Sequence, residues 1–272
     1  MRILFIGDIM GRSGREALEK YLPRLKKDLS VDVAIINGEN AAHGRGITEK
    51  FCKDFYDYGA DIITTGDHIW DQREILKYIT RDPKLLRPAN FPEQTTPGNG
   101  YYLHELAGGR KILVVNMLCR VFMPPQDDPF ACMEKILSEY RLGLNCNAIF
   151  VDLHGEASSE KMAFGQHFSG RISAVIGTHT HIPTADAHIM NGKTAYMTDA
   201  GMSGDFDSVI GTRKETSIHR FIKKTPGEHF IPANENMMLC GALVVTNDNT
   251  GKALGIEPLR IGDILSETMP TI

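Results

Sequence analysis

The chain has 272 residues, 42% of them hydrophobic and 24% charged, which excludes a disordered or fibrous protein. That length buries a large core without disulfide staples. A formal net charge of −4, from 30 Lys and Arg against 34 Asp and Glu, argues against a strongly basic nucleic-acid binder. Short β-rich apolar runs predict strands over 3–6, 31–36, 61–65, 111–115, 148–153, 172–176, 194–197 and 242–246. Several are continuously apolar, as in strands buried on both faces of a sheet. Helices are predicted over 14–29, where Ala17, Leu18, Tyr21, Leu22 and Leu25 recur at helical spacing, and over 49–58 and 130–142. Strand and helix alternate, the pattern of an α/β layered domain. The Pro- and Gly-rich stretches 87–100 and 124–129 read as long loops, not interdomain linkers, so one domain over 1–272 is expected. The runs from Thr194 onward lie close together and are expected to form an antiparallel second sheet.

Five widely spread cysteines without a C-x-x-C pair read as reduced cysteines of a cytoplasmic protein. No apolar run reaches the ~18 residues of a membrane span. The first apolar run meets Asp8 and lacks a signal peptide's longer apolar region, so no membrane partner is expected.

Chemistry collects where the apolar runs end. The runs close on Gly7-Asp8, Asn37-Gly38-Glu39-Asn40, Gly66-Asp67-His68, Asp152-Leu153-His154 and Gly177-Thr178-His179-Thr180-His181. Ligands of open α/β sheets bind beyond the carboxyl ends of strands. Each run end alone reads as a turn or an ordinary hydrogen-bonded histidine; five together point to a metal centre. A first-row ion takes roughly four to six N or O donors. Asp8, Glu39, Asn40, Asp67, His154, His179 and His181 offer seven, which suits two ions sharing a carboxylate, about 3.5–4 Å apart. On an extended segment, His179 and His181 would point the same way and could reach one ion each.

These blocks, with Gly7-Asp8-Ile9-Met10-Gly11-Arg12, Gly66-Asp67-His68-Ile69-Trp70-Asp71, Arg87-Pro88-Ala89-Asn90 and Asp207-Ser208-Val209-Ile210-Gly211, resemble the calcineurin-like metallophosphoesterases, and among them the bacterial YmdB-like group. The resemblance covers almost the whole chain. It implies a calcineurin-like α/β fold, a β-sheet sandwich flanked by helices. It also implies two metal ions, iron or manganese with zinc as an alternative. Asp8, Asn40 and His181 would bind one ion, Asp67, His154 and His179 the other, and Glu39 would bridge them. A metal-bridging hydroxide would attack phosphorus, and His68 would be the catalytic acid. The wider superfamily begins with Asp-x-His and bridges with aspartate; here Met10 and Glu39 stand in those places, as in the YmdB-like group. That group usually has asparagine where this chain has Asp67.

The expected function is hydrolysis of a small phosphodiester, with 2′,3′-cyclic nucleotides indicated by the resemblance and no long nucleic acid expected. A nuclease or phosphomonoesterase is the alternative of like chemistry. A metal-binding regulator with little turnover is the alternative of another class. Self-association stays open. Softer candidates are Gly44, Arg45 and Gly46, facing a phosphate or only permitting a turn, and His43, lining the cleft or solvated. Trp70 would stack on a base or join the core. Asp152, Glu156 and Lys161 flank His154 and are candidates to support it. Met10, Met117 and Met123 suggest adaptable packing.

Overall fold

Strand β1 (Arg2–Ile6) is buried at every position but its first, because layers cover it on both sides. The structure, a computed structural model, describes residues 1–223, 225 and 229–272. After β1 come α1 (Gly11–Asp28), β2 (Val33–Asn37), α2 (Glu49–Asp57), β3 (Ile62–Thr64) and the short α3 (Ile75–Tyr78). The three strands run parallel. Alternate residues part to opposite faces. Leu4, Ile6, Ala34 and Ile36 pack with Leu18, Leu22 and Leu25 of α1 and Phe55 of α2. Ile3, Phe5, Val33 and Ile35 face the other way, into a second core. Helix α2 begins at Thr48, whose Oγ1 accepts the Phe51 N–H at 3.3 Å and so caps it.

The chain then builds a second sheet. Its elements are β4 (Tyr101–Glu105), β5 (Lys111–Leu118), α4 (Pro129–Glu139), β6 (Ala148–His154), α5 (Ser158–Phe168), β7 (Ala174–Thr178), β8 (His188–Met190) and β9 (Thr194–Met197). Last come α6 (Lys214–Lys223), β10 (Leu239–Thr246) and β11 (Ala253–Ile261). The strand orders are β11-β10-β1-β2-β3 and β4-β5-β6-β7-β9-β8. The inner faces of both sheets share the second core, where the Phe5 and Phe150 ring centroids lie 5.1 Å apart. Helices α4 and α5 cover the outer face of the larger sheet through Met133, Ile136, Phe164 and Phe168. The molecule is thus a β-sheet sandwich flanked by helices.

The expected antiparallel sheet after Thr194 does not form. Strand β9 lies parallel to β7, and β10 crosses to the other sheet to pair antiparallel with β1. Ala195 and Met197 of β9 and Ala242 and Val244 of β10 all complete the inter-sheet core, so each sheet gains one of the two strands. Among the described residues, no helix is long and apolar enough to cross a membrane.

Candidate metal centre

The carboxyl ends of β1, β2 and β3 in one sheet meet those of β6 and β7 in the other. His154 is the last residue of β6 and is fully buried. Its Nε2 lies 3.2 Å from Glu39 Oε2, 3.2 Å from Asp67 Oδ1 and 3.1 Å from His179 Nδ1. Its Nδ1 is 2.9 Å from Thr178 Oγ1, and that hydroxyl donates to Asp152 Oδ1 at 2.7 Å. The hydroxyl proton being spent on Asp152, Thr178 accepts from His154 Nδ1–H. This assignment from the hydrogen-bond network turns the Nε2 lone pair toward the cluster. Glu39, Asp67, His154 and His179 each offer one donor atom within 4.8 Å of the others, a set that could hold a metal ion.

A second group adjoins the first. His181 Nδ1 donates to the Ile210 carbonyl at 2.8 Å, and burial lowers the pKa of this imidazole. The Asn40 amide donates through Nδ2 to the Gly44 carbonyl at 3.1 Å, so its oxygen is what faces His181 Nε2, at 3.2 Å. Two acceptor lone pairs therefore oppose each other, an arrangement that a cation between them relieves. Asp8 ties the groups together. Its Oδ2 accepts the His179 backbone N–H at 3.0 Å, and its Oδ1 stands 3.9 Å from His154 Nδ1.

The donor set fits a cation. Among the described residues, Asp8 Oδ1 and Glu39 Oε2 are buried without a hydrogen-bond partner. Gly66 forms the wall beside them; a Cβ there would lie 2.0 Å from Glu39 Oε2 and 2.4 Å from His154 Nε2. Burial opposes charging of His154, yet Glu39, Asp67 and Asp8 outweigh it and raise its pKa well above the usual imidazole value. A site of such negative potential is satisfied by a metal cation as by a proton.

His68 sits at the rim with Nε2 4.0 Å from Asp67 Oδ2, while its Nδ1 pairs with Asp71 Oδ2 at 3.2 Å. It lines a cavity of about 640 Å³ together with Glu39, Asn40, His179 and His181. His43, Gly44, Arg45 and Glu156 line the same cavity, with Glu156 Oε2 3.6 Å from His179 Nε2. Trp70 instead packs on the core, its ring centroid 6.4 Å from that of Phe91. His179 and His181 do not lie on an extended segment. Their φ angles are 96° and 68°, and this turned backbone, not strand alternation, sends one ring to each group.

The turn is anchored by groups whose part the sequence shows poorly. The fully buried Lys161 Nζ donates to the Thr178 carbonyl at 2.7 Å and to Asp199 Oδ2 at 3.1 Å. Asp199 also accepts the Thr180 N–H and hydroxyl, at 3.0 and 2.8 Å, and the Gly201 N–H at 2.9 Å. Lys161 thus supports the turn and touches Thr178, not His154. Asp199 has no motif around it that marks it beforehand; Ile210 lies in the Asp207-Ser208-Val209-Ile210-Gly211 block, which does not reveal the part its carbonyl plays.

Known proteins share this architecture. Over 263 residues, covering 97% of this chain and 98% of the relative, the chain is 46% identical to a 2′,3′-cyclic-nucleotide 2′-phosphodiesterase of Bacillus subtilis. A crystal structure of a novel phosphatase from Mycoplasma pneumoniae matches with a TM-score of 0.89 at 33% identity, covering 96% of this chain and 93% of that one. The calcineurin-like phosphoesterase YfkN from Bacillus subtilis shares the fold, with a TM-score of 0.56 at 13% identity over 96% of this chain and 90% of that one. A family model described as YmdB-like protein matches residues 4–259. The chain belongs to the YmdB-like family.

Proposed function

We propose that the chain is a dinuclear metal-dependent phosphodiesterase acting on 2′,3′-cyclic nucleotides. The observation that carries this reading is the pair of adjoining donor groups, His154 with Glu39, Asp67 and His179, and His181 with Asn40, of which Glu39, Asn40, His179 and His181 line one cavity. The 46% identity to a phosphodiesterase of that substrate supports the choice of ester. Asp8, Asn40 and His181 would hold one ion, Asp67, His154 and His179 the other, with Glu39 shared. Oxygen and imidazole donors of this kind suit iron or manganese, and also zinc. Such ions neutralise phosphodiester charge and lower the pKa of water. The five cysteines are free, which supports a cytoplasmic setting.

The chain's own residues supply the rest. Asp71 orients the His68 ring, leaving Nε2 to deliver a proton to the departing ribose oxygen. Thr178 and Asp152 fix the His154 tautomer, and Lys161 with Asp199 holds the His179–His181 turn. Metal analysis of protein purified without chelator, together with turnover of a panel of cyclic, linear and monoester phosphates, tests the reading. Two metals per chain and a preference for cyclic diesters are expected; metal-free protein with full turnover would refute it.

His68→Ala is expected to keep both metals and to lose roughly 10²–10⁴-fold on a nucleoside ester. A nitrophenyl ester, whose leaving group needs no proton, should lose far less. Equal losses on both esters would contradict the proton-donor role.

A further inference from the structure

Beside the donors Glu39, Asn40, His179 and His181, the cavity is lined by apolar and aromatic side chains, which phosphate chemistry alone does not require. Helix α6 presents Ser217, Arg220 and Phe221 to it at helical spacing, and Phe230 and Ile210 complete the wall. The Arg220 guanidinium carbon lies 3.9 Å from the centroid of the Phe230 ring, a cation–π contact between two residues of the cavity wall. Phe221 is 80% exposed, an aromatic ring that the fold itself leaves uncovered.

Ile210 adds an independent observation. Its φ is +45°, a left-handed conformation that is a genuine outlier for a β-branched residue, and its side chain is half exposed. The backbone carbonyl explains the conformation, because it accepts from His181 Nδ1. Glycine would deliver that carbonyl without strain. What glycine lacks is the apolar side chain on the cavity wall, so that side chain has a use outside the fold.

Resting on the phosphodiesterase reading, we propose that Ile210, Phe221 and Phe230 form a stacking subsite for the nucleobase of the substrate. Stacking uses the π-face that every base has, so the subsite tolerates any base and favours the larger purines. It would make the enzyme prefer nucleotides to small cyclic esters without reading base identity.

The test compares adenosine 2′,3′-cyclic phosphate with glycerol 1,2-cyclic phosphate, which has no base. In Phe221→Ala and Phe230→Ala, the ratio of kcat/KM for the nucleotide over the base-free ester should fall roughly tenfold, mostly through KM. Ile210→Gly, which keeps the carbonyl, should lower the same ratio. Ile222→Ala, on α6 but away from the cavity lining, should leave it unchanged. Calorimetric binding of adenosine 2′- and 3′-monophosphates, weakened in the same variants, gives a readout independent of turnover. Nucleotide binding without turnover of either ester would sink the phosphodiesterase reading and keep the subsite. An unchanged ratio with unchanged binding would overturn the subsite. So would dissociation of an oligomer in Phe221→Ala at unaltered nucleotide affinity, which would assign this face to self-association.

Discussion

His154→Ala is expected to lose about one metal ion per chain and nearly all phosphodiesterase activity. No other donor in the cluster stands so close to three partners, with Glu39, Asp67 and His179 all within 3.2 Å of its Nε2. The ring is fully buried, so its removal takes the only imidazole of β6 out of the cluster and leaves a void in its place. Changes behind the ring should cost less. Thr178→Val removes the hydroxyl that accepts from His154 and donates to Asp152, and such supporting partners are typically worth 10–100-fold. The ordering of metal content, from wild type through Thr178→Val to His154→Ala, is the readout. Two metals and full turnover in His154→Ala would refute its assignment as a ligand.

Lys161→Met should produce the largest loss of stability. Lys161 and Asp199 form an ion pair whose side chains are essentially without solvent contact. Removing one partner of a buried pair leaves an uncompensated charge and costs about 3–5 kcal/mol. A chain of this size shifts by roughly 2–4 °C per kcal/mol, so Tm should fall by about 10 °C. The loss extends to function, because Asp199 holds Thr180 between the two turn histidines. Thermal unfolding of metal-loaded protein checks the first effect and metal content the second. An unchanged Tm would show that Asp199 finds other compensation.

The eight candidate site residues were legible because each ends or follows a strand whose continuous apolar run is easy to read. The structure brings all of them to one end of the sandwich. The eight predicted strands all exist, within a few residues of their expected bounds. The three missed strands, β4, β8 and β11, all lie at sheet edges. These three are covered less completely than the edge strand β3, which is buried throughout, so they carry no uninterrupted apolar run; β4 is only half-buried along most of its length. Pro258 lies within β11, where an edge tolerates the missing N–H.

Other elements were hidden for different reasons. Helix α5 buries Lys161 and Gly165, a charged residue and a helix-weakening one, and so shows little apolar periodicity. Helix α6 has an apolar face but turns part of it to the cavity, where Phe221 stays exposed. The contacts of Lys161, Asp199 and Ile210 with the turn depend on its left-handed backbone at His179 and His181, which residue spacing does not reveal.

The donors are divided by chemistry between the two layers. Every proposed oxygen ligand, Asp8, Glu39, Asn40 and Asp67, follows a strand of the smaller sheet, while all three imidazoles belong to the larger. Neither layer alone supplies both kinds of proposed ligand. On the proposed assignment, loading the ions clasps the layers at one end, as a rivet joins two plates, and the core joins them along the rest. Occupancy at 100 times Kd would add about 2.7 kcal/mol to folding. Chelation would therefore loosen this end first, with backbone amides at the carboxyl ends of β1, β2, β6 and β7 exchanging before those of the inter-sheet core.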